Sequence, residues 1–186
     1  IALVLTMASS LILGMGLPTA AAYILVATLT APALVTMGVD LMAAHMFVFY
    51  SAMLSSITPP VALAAFAAAA ISREPPMRVA MISVKYGFVA FLLPYFFVLE
   101  PRLLLMGTLG EAIGVFLMAA IGIVTLACVL QGYAMGSLSW LTRSVLAVAS
   151  LCLLMPEISL KIIGIAIILA ILIAWKIGQT LKKDSA

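Results

Sequence analysis

Charge is what this sequence has least of. Its 186 residues include nine Lys or Arg, six Asp or Glu and a single His. No Asp, Glu, Lys or Arg interrupts residues 1–39, 41–72, 86–99, 112–142 or 162–175. With 67% hydrophobic and 8% charged residues, the chain cannot clothe a soluble domain in polar surface. Alternation at period two is missing as well, which excludes the strands of a membrane β-barrel. The two cysteines, Cys128 and Cys152, stand singly in apolar runs. They read as inert buried thiols, not as a disulfide or metal framework.

The same scarcity excludes catalysis inside a membrane. A serine hydrolase needs a Ser–His pair, and His45, near the outer end of a helix, is the one histidine. An aspartyl enzyme needs two carboxylates at mid-depth, whereas Asp40 and the glutamates all fall at loops or helix ends. No ring of like charges or filter-like carbonyl run suggests a channel. No cofactor and no nucleic-acid partner is expected. There is no initiator Met, and the chain starts inside an apolar run, so it is expected to be the C-terminal part of a longer protein.

What is present is a series of apolar runs long enough to span a bilayer core of about 30 Å. The expected fold is an all-α integral membrane protein in contact with lipid. Residues 1–13 and 20–37 flank a break at 14–19, "GMGLPT". Gly38-Val39-Asp40 is a turn. Residues 42–56 and 61–72 flank a second break at 57–60, within "SSITPP". A loop follows at 72–78, "SREPPMR", then a span at 79–99 and a loop from Glu100. Spans over 110–132 and 162–178, and a shorter apolar run at 144–155, complete the chain before a soluble tail.

Basic residues set orientation. Arg73, Arg78, Lys85, Arg143, Lys176, Lys182 and Lys183 fall on one side, and Arg102 and Lys161, with acidic neighbours, on the other. Loop 73–78 and the C-terminus are therefore expected in the cytoplasm, and 38–41, 100–108 and 156–160 outside. Trp140 and Trp175 then lie near cytoplasmic helix ends.

That orientation starts and ends residues 1–38 on the outer side. One continuous helix of that length would measure about 57 Å, nearly twice the core. Two arms meeting at Gly14–Thr19 fit better, as a re-entrant hairpin with its tip near the midplane. A spanning helix with a kink is the competing reading. Residues 42–72 then form a helix broken at mid-depth. Irregular backbone at that depth is tolerated where protein or a wet cavity satisfies it, and secondary transporters build ion sites this way. Thr19, Ser55, Ser56 and Thr58 offer hydroxyl oxygens. Gly14 and Gly16 free the backbone, while Pro18, Pro59 and Pro60 remove donors. An oxygen-only set suits a hard cation such as Na⁺, with Gly14, Gly16, Ser56 and Thr58 as the expected ligands. The structural alternative is that Gly and Pro only make kinks and close packing.

Three stretches carry a family resemblance: "LILGMGLPTAAAYILVATLTAPALV" (11–35), "FVFYSAMLSSITPPVALAAFAAAAIS" (47–72) and "LLPYFFVLEPRLLL" (92–105). They resemble the C-terminal half of the large (DctM-like) membrane subunit of tripartite ATP-independent periplasmic (TRAP) transporters, in its fused TAXI-associated form. The resemblance covers residues 1–105, and 106–186 is similar to the C-terminal transmembrane extension of those permeases. It implies an elevator-type transporter, with this chain as the second inverted repeat: hairpin 1–38, broken helix 42–72, helix 79–99, about four transmembrane helices in all after the break. It implies uptake of small organic anions, carboxylates among them, across the bacterial inner membrane, coupled to Na⁺ or H⁺. The implied partners are a periplasmic TAXI-type solute-binding protein and a small TRAP membrane subunit, separate or fused upstream. A structural membrane subunit without its own substrate site is the alternative. His45 and Lys85 read as boundary and snorkelling residues, and Glu111 as a favourable charge at a helix start. The runs 64–72 and 112–122 read as small-residue packing faces.

Overall fold

A computed structural model describes residues 1–134, 136 and 138–184, with side chains through Lys176. The expected soluble tail at 182–186 lies outside the described side chains. The described chain is helical and divides into two compact units, Ile1–Met106 and Gly107–Ala186.

In the first unit, α1 (Ala2–Gly14) stops at the first Gly/Pro cluster. Gly16 sits there at φ 76°, a left-handed conformation that side chains disfavour. Pro18 supplies no N–H and pushes Leu17 away from helical geometry. The chain resumes as α2 (Thr19–Thr36), which runs through Pro32 and ends before Gly38, at φ 89°. Asp40 caps α3 (Leu41–Leu54), accepting from the Met42 and Ala43 amides at 2.8 and 3.3 Å. A single 3₁₀ turn, Ser55–Ile57, ends that helix. Pro59 and Pro60, joined by a cis bond, cannot continue a helical ladder. Helix α4 (Leu63–Ser72) follows and is closed by Arg73 in left-handed geometry. Helix α5 (Pro76–Leu99) opens on a proline at its first position, where the missing N–H costs nothing.

Phe47 and Val48 of α3 pack with Val26 and Leu34 of α2 and Met7 of α1. Buried alanines among them, such as Ala22, Ala31 and Ala44, let the helices approach closely. Tyr95 of α5 closes over this core. Its ring meets Phe47 edge-on at 5.3 Å, and its hydroxyl donates to Met7 Sδ at 3.6 Å. Helix α1 therefore lies beside α3, on the Phe47 side of the break, and also packs on α2. The alanine-rich α4 behaves as its composition suggests: Ala65 is buried against Ala80 of α5.

The second unit holds α6 (Leu109–Gln131), α7 (Trp140–Leu154) and α8 (Ile158–Asp184). Glu111 does more than complement the dipole of α6. It forms a capping box with Thr108, each side chain accepting from the other's amide. Glycines set the helix approach here. A Cβ on Gly122 would stand 3.1 Å from Leu154, and one on Gly164 would stand 2.8 Å from the Ala149 carbonyl.

Among the described residues four helices are long and apolar enough to cross a membrane: Thr19–Thr36, Pro76–Leu99, Leu109–Gln131 and Ile158–Lys176. Of the four helices expected after the broken one, α5, α6 and α8 reach that length. Helix α7 does not, because the Ser139 cap and Pro156 confine it to 15 residues, about 22 Å. Helices α3 and α4 fall short singly, yet together reach about 36 Å, the length of one span.

Candidate functional site

The two breaks meet. Gly14, buried at the end of α1, lies against the last turn of α3: a Cβ there would stand 2.7 Å from Ser55 Oγ and 3.3 Å from the Ala52 carbonyl. Gly16 lies against the chain just past the two prolines, where a Cβ would stand 3.3 Å from Val61 Cγ1. Residues 14–16 thus touch the second break at both ends, at Ser55 and at Val61. Ile57 of the 3₁₀ turn rests on Gly87 of α5, whose absent Cβ would fall 3.1 Å from Ile57 Cδ1.

The hydroxyls of the second break all turn their protons inward. Ser55 Oγ donates to the Ala52 carbonyl at 2.6 Å, Ser56 Oγ to Met53 at 2.8 Å and Thr58 Oγ1 to Leu54 at 2.7 Å. Each oxygen keeps lone pairs able to accept a hydrogen bond or hold a cation. Ser55 is buried, Ser56, Thr58 and Pro59 are half-buried, and Pro60 is exposed. On the other break Gly16, Pro18 and Thr19 are exposed, with Thr19 the first residue of α2. Backbone groups of Met15–Leu17 lie outside either helix. Contact between the two breaks is carried by Gly14 with Ser55 and by Gly16 with Val61.

The chemistry of this donor set is that of hydroxyl and carbonyl oxygens. Among the described residues no group of three or more His, Cys, Asp or Glu gathers to bind a metal. Oxygen-only ligands fit a hard cation and are a poor match for a softer transition metal.

One polar pair of the first unit escaped the reading of the sequence, and a second was marked there only as a basic residue with acidic neighbours. Tyr23 Oη and His45 Nδ1 lie 2.9 Å apart, joining α2 to α3. The residues are far apart in sequence, so no local signal marks them; His45, read as a boundary residue, proves to be tied to a neighbouring helix. Glu100, at 4% exposure, is held by Arg102 through Nε–Oε1 at 2.5 Å and Nη2–Oε2 at 3.0 Å. The triplet Glu-Pro-Arg at the end of a span was the available clue.

Helices of this length and apolarity define a multi-pass membrane protein. The comparison with known families makes this specific. Residues 1–112 match the family described as tripartite ATP-independent periplasmic transporter, DctM component, and the chain belongs to that family. DctM is the membrane permease component of these transporters, a non-enzymatic protein of the inner membrane. It works with a periplasmic solute-binding protein and a small membrane subunit. No curated protein and no solved structure matches the chain.

Proposed function

We propose that this chain carries the cation and substrate junction of a permease that imports small organic anions, carboxylates in particular, using a Na⁺ or H⁺ gradient. Helices α1 and α2 act as a re-entrant hairpin with its tip at residues 14–19. Helices α3 and α4 act as one broken span, and together they form the second inverted repeat of an elevator-type transporter. The observation that carries this reading is the contact of Gly14 with Ser55, in the turn Ser55–Ile57, and of Gly16 with Val61 beyond it. If α3 and α4 cross the membrane as one broken helix, that turn lies near mid-depth, and the tip packed on it lies there too. The placement of Met7 beside Phe47 and Tyr95 supports a chain that returns along α3 instead of continuing past the break. Helix α2 has the length of a span, about 27 Å, so length alone does not favour the hairpin.

Gly14, Gly16, Ser56 and Thr58 hold the cation through carbonyl and hydroxyl oxygens. Thr19, Ser55, Pro18, Pro59 and Pro60 shape the junction and its substrate side. Loop 73–78 and the C-terminus face the cytoplasm, as the basic residues favour. Residues 106–186 form a C-terminal extension of the fused, TAXI-associated type. Consistent with that, the family match ends at residue 112, and a second compact unit begins at Gly107. The solute-binding partner is accordingly of the TAXI type. Uptake into proteoliposomes, measured across a cation titration with Thr58→Val in the full-length transporter, tests this reading. An unchanged cation dependence would make the second break a structural kink.

A further inference from the structure

The guanidinium of Arg143 occupies a seat built from both sides of the α6–α7 connection. Its Nε donates to the Val129 carbonyl at 2.9 Å and its Nη2 to the Leu130 carbonyl at 3.3 Å. Those carbonyls belong to the last turn of α6, where that of Val129 also accepts from the Gly132 amide at 3.2 Å. Gly132, at φ 72°, clears the face on which the group lies: a Cβ there would stand 3.1 Å from Nη1. The Trp140 ring flanks it, 5.9 Å from the guanidinium carbon.

This seat leaves a cation incompletely matched. An arginine has five N–H donors, and the two carbonyls engage one each at Nε and Nη2. Among the described residues no carboxylate is paired with Arg143. The described acidic side chains of this unit stand at the opposite helix ends, Glu111 in the first turn of α6 and Glu157 just before α8. Meanwhile the surroundings are apolar and open. Trp140 is 80% exposed, Leu141 76% and Tyr133 62%. Helix α6, long and apolar enough to cross a bilayer, ends at Gln131 beside them, which puts the seat at a membrane–water boundary.

We propose that this seat binds the phosphate of an anionic phospholipid. Phosphate oxygens match the planar guanidinium fork, which the α6 carbonyls already hold in one orientation. The lipid chains would cover Trp140 and Leu141, and Tyr133 would sit at headgroup level, where amphipathic aromatic rings belong. A basic seat at the end of a span, at the bilayer surface, is suited to such headgroups. The proposal is independent of the transport site.

The test uses the full-length transporter purified in mild detergent and titrated with phosphatidylglycerol or phosphatidylcholine. Lipid retention is read by native mass spectrometry and stability by thermal unfolding. The wild type should retain phosphatidylglycerol preferentially and unfold at a higher midpoint with it. Arg143→Gln should weaken that retention about tenfold, the scale of one lost charge-assisted contact, while Lys85→Gln leaves it unchanged. Because Arg143 also caps α6, its loss lowers the midpoint in both lipids. The decisive quantity is the extra midpoint that phosphatidylglycerol gives over phosphatidylcholine, which should vanish. Trp140→Ala, which keeps the cap, should reduce the same increment and decides the matter if Arg143→Gln fails to fold. An increment that survives both substitutions would reduce the seat to a helix cap. An equal increment from inorganic phosphate would overturn the lipid assignment.

Discussion

Gly14 and Ser55 meet so closely that one methyl group on the glycine would stand 2.7 Å from the serine oxygen. Ser55 is buried and bonded to the Ala52 carbonyl, so it has little freedom to withdraw. Gly14→Ala should push α1 off the break. Uptake is expected to fall at least tenfold while the protein still inserts, and Gly14→Ala combined with Ser55→Ala should recover part of it. Equal uptake by Gly14→Ala and wild type would show that the contact has no bearing on transport.

Thr58→Val keeps the shape of the side chain and removes its oxygen. If Thr58 ligates the coupling cation, half-maximal uptake should need about tenfold more of that ion, because a lost buried polar contact costs roughly 1–3 kcal/mol. Thr58→Ser should stay near wild type. Proteoliposome uptake over a range of Na⁺ and of pH separates the two candidate ions.

Orientation is open to labelling. Single cysteines at Pro75 and at Gly107, in a chain with Cys128 and Cys152 replaced by alanine, should react oppositely with a membrane-impermeant maleimide applied to intact cells. Position 107 is expected to label and position 75 to remain protected until the membrane is opened. Strong outside labelling at 75 reverses the topology.

The Tyr23–His45 bond ties α2 to α3. Tyr23→Phe removes only the hydroxyl and should lower unfolding stability by about 1 kcal/mol, the net value of one such bond. His45→Ala also discards ring contact with Tyr23 and should cost more. Denaturant titration in mixed micelles measures both. Additive losses in the double variant would mean that the two side chains do not interact.

The punctuation of this fold was legible because it is local. Gly16, Pro18, Asp40, Pro59 and Pro60 end or begin helices through properties of their own backbones. The sequence therefore located both breaks and the α2–α3 turn to within a few residues. Glu111 was read at a helix start, although its reciprocal bond with Thr108 needed the geometry. The meeting of Gly14 with Ser55 depends on how α1 returns along α3, and that is set by Met7, Phe47 and Tyr95 packing across distant segments. Nothing in the local sequence encodes such a contact. The short reach of α7 was legible in the short apolar run at 144–155, whereas its start at the Ser139 cap was not.

The inward-turned hydroxyls have a consequence for how the protein is made. Ser10, Thr30, Ser51, Ser55, Thr125 and Ser150 each give their proton to a carbonyl three or four residues earlier in the same stretch of chain. Such a bond closes as soon as its own turn of helix forms. These polar groups can therefore leave water without waiting for a neighbouring helix to arrive. Each segment can pass into lipid already self-sufficient, and the order in which segments emerge during synthesis need not follow the order in which they pack.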